Sequence, residues 1–332
     1  MNKAIIQGTG HYVPKNVITN FDLEKLMDTS DEWIRERSGI VERRFVDPGE
    51  STSDLAYKAS LIAIEDADIS KEEIDFIIFA TLSPDHLFPG AGVFLQEKLG
   101  LTGIGVLDVR NQCTGFIYAL SVADQYVKTG MYKKILVIGA EVQSVHLNMS
   151  TEGRDMAVLF GDGAGAVIVS KNERDDGKGI IATHLHADGR FADILWMEKP
   201  RITDKPYFSL ELIQDKRRFP TMQGKMVFKL ASEKMPECMK EILEENNLSV
   251  NDLDFLIPHQ ANYRITEMVG KILGISPEKV VSNIHKYGNT TAASIPIAFD
   301  EIKKEGKIKD GSLIGLTAFG SGLTWGSALI RM

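Results

Sequence analysis

Cysteine is nearly absent from this chain: 332 residues contain two, Cys113 and Cys238, far apart and without the Cys/His spacing of a zinc site. That scarcity points to neither a disulfide framework nor a metal site, and leaves catalysis as the expected use of any cysteine chemistry. Long apolar runs are also missing. Nothing approaches the roughly 20 residues of a membrane-spanning helix, and the opening residues Met1 to Gly10 have no long apolar run behind their single lysine. The expectation is a soluble, cytoplasmic protein with no membrane contact. Positive charge is in deficit, with 38 Lys+Arg against 46 Asp+Glu and a net charge of −8, which argues against a general nucleic-acid binder. A local basic patch could still receive an acidic partner. With 43% hydrophobic and 25% charged residues, the chain has ordinary globular composition and can bury one large core or two half-sized ones.

What is present is an internal repeat. Ile69-Ser70-Lys71-Glu72-Glu73-Ile74-Asp75-Phe76-Ile77-Ile78 matches Leu248-Ser249-Val250-Asn251-Asp252-Leu253-Asp254-Phe255-Leu256-Ile257 in character, 179 residues apart. An amphipathic helix pattern precedes each copy, through Leu55, Ala59, Ile62 and Ala63 in one and Val227, Leu230, Ala231 and Met235 in the other. Lys98-Leu99-Gly100-Leu101 recurs as Ile272-Leu273-Gly274-Ile275, and the strand pattern of residues 135–138 recurs near 313–316. Strands alternating with helices indicate an α/β fold, and duplication indicates two similar halves, 1–172 and 173–332, related by a pseudo-twofold axis. The period is too long for a tandem solenoid. Between residues 190 and 222 the pattern weakens around Pro200, Pro206 and Pro220, predicting either a functional strap or a plain solvated connection.

Three residues stand out for chemistry. Cys113 falls between an apolar strand pattern at 105–109 and a helix pattern at 116–127, so it sits at a helix N-terminus, where free amides and the helix dipole favour a thiolate by about 0.3–2 kcal/mol. Cys238 lies on a helix's apolar stripe and reads as packing. His259, in Ile257-Pro258-His259-Gln260-Ala261-Asn262, follows the second copy's strand, at the kind of strand end where catalytic groups gather. His11, His86, His146, His184, His186 and His285 have no comparable setting and read as surface or satisfied histidines. Asn289 opens the small-residue run Gly288 to Ser294 before a helix that the repeat makes equivalent to the Cys113 helix. The glycine-rich runs Phe160 to Gly165 and Phe319 to Gly326 precede strands, so they suit close packing and backbone donation rather than nucleotide phosphates.

Asp28-Thr29-Ser30-Asp31-Glu32-Trp33-Ile34-Arg35, the Cys113 segment, Gly161-Asp162-Gly163-Ala164-Gly165, Pro258-His259-Gln260-Ala261-Asn262, Gly288-Asn289-Thr290 and Leu323-Thr324-Trp325-Gly326 together resemble the β-ketoacyl-[acyl-carrier-protein] synthase III family of the thiolase superfamily, along essentially the whole chain. The resemblance implies the thiolase fold, a duplicated five-layered αβαβα architecture, and a homodimer. It implies a decarboxylative Claisen condensation of an acyl-CoA with malonyl-[acyl-carrier protein], initiating fatty acid synthesis without a cofactor or metal. It identifies Cys113, His259 and Asn289 as catalytic, with the backbone N–H of Cys113 and of Ser321 as an oxyanion hole; the family usually has glycine at the Ser321 position. It further implies that Trp33 stacks on the CoA adenine near Thr29, Arg37 and Arg154, that Gly224, Phe228 and Asn262 line the CoA tunnel, and that Phe88 closes the partner's acyl pocket. Lys225, Lys229 and Arg264 would form the patch for the carrier protein. Asn111-Gln112, where small residues are commoner, and the 190–222 segment could both reshape the acyl pocket.

Other readings compete. A biosynthetic thiolase needs a second cysteine in the Phe319-Gly320-Ser321-Gly322 loop, and an elongating synthase a second histidine where Asn289 stands. A papain-like hydrolase has its cysteine near the mature N-terminus, whereas 112 residues precede Cys113. A relative of specialised metabolism that condenses or transfers unusual acyl groups stays open, as does a non-enzymatic scaffold that binds carrier protein.

Overall fold

The structure, a computed structural model, describes residues 3–174 and 176–332. In chain order the strands are β1 (Ala4–Tyr12), β2 (Asn16–Thr19), β3 (Glu42–Phe45), β4 (Phe76–Ala80), β5 (Gly105–Val109), β6 (Lys134–Glu141), β7 (Gly163–Lys171), β8 (Gly179–Ala187), β9 (Leu195–Trp196), β10 (Thr221–Met222), β11 (Phe255–Pro258), β12 (Leu313–Gly320) and β13 (Thr324–Arg331). The helices are α1 (Asn20–Glu24), α2 (Asp31–Ser38), α3 (Thr52–Asp66), α4 (Ala91–Lys98), α5 (Gly115–Lys128), α6 (Arg154–Ala157), α7 (Leu210–Gln214), α8 (Gly224–Glu245), α9 (Tyr263–Leu273), α10 (Ile284–Tyr287) and α11 (Ser294–Lys304).

Two sheets carry the duplication. One runs β1-β7-β6-β4-β5 and the other β8-β13-β12-β11, with the same sense of pairing: β4 is parallel to β6 as β11 is to β12, and β6–β7 and β12–β13 are antiparallel. Among the described residues the second sheet has no full counterpart of β5. A single parallel bridge, Leu256 to Val280, stands in that place.

Both faces of the central strands are covered, so they read as continuous apolar runs. Along β4, Phe76, Ile78 and Ala80 face one core and Ile77 and Phe79 the other. The middle core lies between the sheets and is filled by α5 and α11, through Phe116, Leu120, Ile295 and Phe299. An outer core joins the first sheet to α3 and α4; another joins the second sheet to α8 and α9. Helix, sheet, helix pair, sheet, helix gives five layers, as expected. Each fully buried Leu, Ile or Phe in them contributes roughly 1.5–3 kcal/mol. A smaller cluster, with Leu23, Ile34, Leu147 and Ile284, caps one end and carries α2.

The 190–222 segment is not a plain loop. It holds a 3-10 turn (Gly189–Ile194), β9 paired antiparallel with β10, and α7.

The halves interlock at the starts of the two middle helices. A Cβ at Gly139 in β6 would lie 2.2 Å from the Ala292 carbonyl, and one at Gly320 in β12 would lie 2.8 Å from Cys113 Cβ. Each strand thus reaches the other half's helix start through a missing side chain. Ala292 is the repeat's counterpart of Cys113, and the residues before them, Gln112 and Thr291, take φ of 43° and 45°. Gly139→Ala should therefore lower stability by at least about 1–3 kcal/mol, the usual range for overpacking. The urea midpoint checks this, and an unchanged midpoint would contradict the interlock.

Candidate active site

Cys113 lies in the 3-10 turn Gln112–Thr114 that joins β5 to α5 and is 8% exposed. Asn111 turns back on that turn: its Nδ2 donates to Thr114 Oγ1 (3.1 Å), and Thr114 Oγ1 in turn lies 2.7 Å from Thr324 Oγ1. Burial pushes the Cys113 thiol up to about 12, the nearby Glu141 charge adds to this, and the Cys113 and Ser321 backbone N–H groups pull the other way. The helix start carries no standing thiolate, because desolvation outweighs the backbone N–H groups that favour one. Ser321 is outside the left-handed region, so its Cβ is accommodated where glycine is usual, and its hydroxyl donates to the Leu195 carbonyl at 2.5 Å. A side chain thereby ties the loop beside Cys113 to β9.

His259 follows β11, with its N–H on the Thr317 carbonyl at 2.8 Å. Burial holds its imidazole down to about 3, so it is neutral near pH 7. Its Nδ1 lies 2.6 Å from Ser294 Oγ, which also accepts from the Gln260 N–H at 3.4 Å. Among the described residues the Ser294 hydroxyl has one acceptor for its proton, His259 Nδ1. That assigns the single ring proton to Nε2, which is buried without a partner among the described residues. Asn289 is oriented the same way: Oδ1 accepts the Thr291 N–H at 2.9 Å, leaving the Nδ2 donors as the available end. Two donors without strong charge therefore accompany a neutral thiol.

All three residues line one cavity of about 910 Å³. Trp33, Arg37, Gly224, Lys225, Phe228, Asn262 and Arg264 line it too. Trp33, on α2, has the Arg37 and Arg154 guanidinium carbons 4.7 and 5.1 Å from its ring centre. Asn262 is the N-cap of α9, accepting from the Arg264 N–H, while its Nδ2 donates to the Arg37 carbonyl at 2.8 Å. Both ends of its amide are thus committed to holding α9 against α2. Thr29 and Arg154 are not in the lining, although Thr29 Oγ1 is buried without a partner and Arg154 donates to the Asp28 carbonyl. Lys229 sits in a neighbouring groove beside Phe228, and Phe88 is 84% exposed, away from this chain's cavity.

Several residues escaped the sequence reading. Ser294 had no signal beyond its place at a helix start. Glu141 was visible as an acid ending the apolar run Lys134–Glu141: it is fully buried, accepts from Ser83 Oγ at 2.6 Å and from the Leu82 and Ser83 N–H groups at 3.2 Å, and burial raises its pKa against those bonds. Lys216 and Phe219 bring the 190–222 segment to the cavity, and Lys216 pairs with Glu152 at 2.6 Å. His11 is satisfied by Asp300, and Cys238 by Ser327 Oγ at 3.1 Å.

Residues 107–189 and 243–332 match the family models of 3-oxoacyl-[acyl-carrier-protein] synthase III and of its C-terminal part. The chain is 47% identical to the β-ketoacyl-[acyl-carrier-protein] synthase III of Enterobacter sp. strain 638 over 98% of each chain. It is likewise 47% identical to that of Caldanaerobacter subterraneus, over 99% of this chain and 97% of the relative. The crystal structure of 3-oxoacyl-[acyl-carrier-protein] synthase III from Aquifex aeolicus superposes with a TM-score of 0.90 at 44% identity over all of both chains.

Thiolate is the reactive form, so with the thiol held near 12 the alkylation of Cys113 by iodoacetamide should keep rising about tenfold per pH unit through pH 9. Rates measured from pH 6.5 to 10 check this. A plateau near the ordinary thiol pKa of about 8.5 would overturn the desolvation account.

Proposed function

The chain belongs to the β-ketoacyl-[acyl-carrier-protein] synthase III family, and from that premise we propose how its cavity performs the family's reaction. The enzyme is an acyltransferase that condenses an acyl-CoA primer with malonyl-[acyl-carrier protein], releasing CO2 and CoA and initiating fatty acid synthesis. In our reading Cys113 Sγ attacks the thioester carbonyl, and the thiol's proton leaves with the CoA sulfur. The acyl group is then held as a new thioester, still reactive toward carbon. Malonyl carrier protein next loses CO2, and the electron pair of the broken bond passes into an enolate. Its oxygen takes hydrogen bonds from His259 Nε2 and Asn289 Nδ2. The enolate carbon attacks the acyl-Cys113 carbonyl, whose oxygen is received by the Cys113 and Ser321 N–H groups, and collapse frees the Cys113 sulfur as a thiolate that takes up one proton from solvent to restore the thiol. The observation that carries this reading is the unpartnered His259 Nε2, buried beside a cavity that also contains Cys113 and Asn289.

Neutral donors suit the decarboxylation. They strengthen as negative charge develops on the enolate oxygen, yet do not hold the malonyl carboxylate as an ion pair would, so the carboxylate stays free to leave. We further propose that Lys225, Arg264 and Lys216 at the cavity mouth attract the anionic CoA and carrier protein, that Trp33 between Arg37 and Arg154 receives the adenine, and that Lys229 extends the carrier-protein patch. Homodimerisation, with the exposed Phe88 entering the partner's acyl pocket, a cytoplasmic location and catalysis without a cofactor complete the proposal. No described helix is long and apolar enough to cross a membrane.

Asn289→Ala should keep acyl transfer to Cys113, read as an intact-mass increase with acyl-CoA, while slowing malonyl decarboxylation by about 10²–10³-fold, the usual cost of one such donor. Equal loss of both steps would contradict the division of labour.

A further inference from the structure

Two histidines outside the cavity form a second constellation. His184 and His186 are two apart on β8, so both project from one face, and Glu241 and Glu245 are four apart on α8, so both project from one side of that helix. The two faces meet. His184 Nδ1 lies 3.6 Å from Glu241 Oε2, His186 Nε2 lies 2.9 Å from the same oxygen, and His184 Nε2 lies 3.0 Å from Glu245 Oε2. One donor atom from each of His184, His186 and Glu241 falls within 4.8 Å of the others. The side chains of these three are 16%, 33% and 40% exposed, which leaves an ion a way in.

We propose that His184, His186 and Glu241 bind a divalent transition cation of the zinc class. Two imidazole nitrogens with a carboxylate favour zinc, copper or nickel over calcium or magnesium, which take oxygen ligands. Metal–ligand bonds of about 2.0–2.1 Å at tetrahedral angles set ligand atoms about 3.3 Å apart. The observed 2.9 and 3.6 Å bracket that spacing, and the third pair, His184 with His186, lies within 4.8 Å. Glu245 plays the orienting part, accepting from the ring nitrogen of His184 that faces away from Glu241. Two carboxylates packed against two imidazoles also give the site a negative charge that a divalent ion balances. Three protein ligands leave the fourth position to water. The ion would clip the edge strand β8 to α8, whose first turns carry Gly224 and Phe228 into the cavity wall.

Trp325 supplies a built-in reporter, since its ring stacks on His186 with centroids 5.5 Å apart and planes 12° from parallel. The test uses the chelator-treated enzyme, native mass spectrometry with added zinc, and titration with cobalt(II). The expected result is one zinc per chain, none in the His184→Gln/His186→Gln variant, and a cobalt complex with d–d bands, quenched tryptophan emission and no thiolate charge-transfer band. Absence of retained zinc, equal zinc in parent and variant, or a thiolate band that brings Cys113 or Cys238 into the coordination would each overturn the proposal. Should circular dichroism show the variant unfolded, the cobalt spectrum of the parent decides: nitrogen and oxygen ligation with quenching supports the site, and any other spectrum overturns it.

Discussion

The rest of the structure depends on bringing two helix starts together in the middle of a five-layered protein, where water cannot satisfy them. Helix starts leave N–H groups free, and those groups are costly to bury unless something accepts from them. The duplicated fold places the starts of α5 and α11 against each other between two sheets and closes the gap with glycines rather than side chains. Gly139 and Gly320 each face the other half's helix start at distances no Cβ could occupy. The left-handed Gln112 and Thr291 occur at matching places because the same sharp entry into the helix is needed twice. In one half that entry presents a thiol and in the other Ala292, so the duplicated frame is symmetrical while its chemistry is not.

Burial then decides the charge states. Desolvation raises Cys113 and lowers His259, so burial widens the gap between the two and holds the unloaded site neutral. A neutral pair is easier to keep in an apolar interior and leaves the donors at His259 Nε2 and Asn289 Nδ2 unspent. Their orientation comes from behind: Ser294 fixes the imidazole tautomer, and the Thr291 N–H fixes the Asn289 amide. Both braces belong to the entry into α11. The helix that mirrors the Cys113 helix thus serves as the template for the two donors that share the cavity with Cys113.

Much of this could be read from the residues. The repeat around Phe76 and Phe255 is strong because β4 and β11 are covered on both faces and the same 3-10 turn precedes each, which demands the same residue types twice. Cys113 and His259 were legible for a related reason: each sits where an apolar run stops at a strand end. What sequence could not carry was the balance of opposing forces at Cys113. A helix start argues for thiolate, and only the burial of Cys113 against Gly320 and the charge of Glu141, contributed by distant parts of the chain, show that the neutral thiol wins. The 190–222 segment was ambiguous because β9 and β10 are two residues each, too short to leave a periodic signal. Asn262 shows the reverse limit: its motif marks the residue, but its amide is spent on capping α9 and holding α2.

Ser321 connects these threads. With glycine at that position the loop after β12 would lose its side-chain tie to β9; here the hydroxyl holds the Leu195 carbonyl, and β9 continues through the strap to Phe219 and Lys216 at the cavity. The Ser321 N–H proposed for the tetrahedral oxygen and the segment that reaches the cavity are therefore joined by this side-chain hydrogen bond, beside the backbone pairing of Asp188 with Leu323. Backbone donation demands only that the Ser321 N–H point at the reacting carbonyl, so the side chain is free to take on a second task without touching the chemistry.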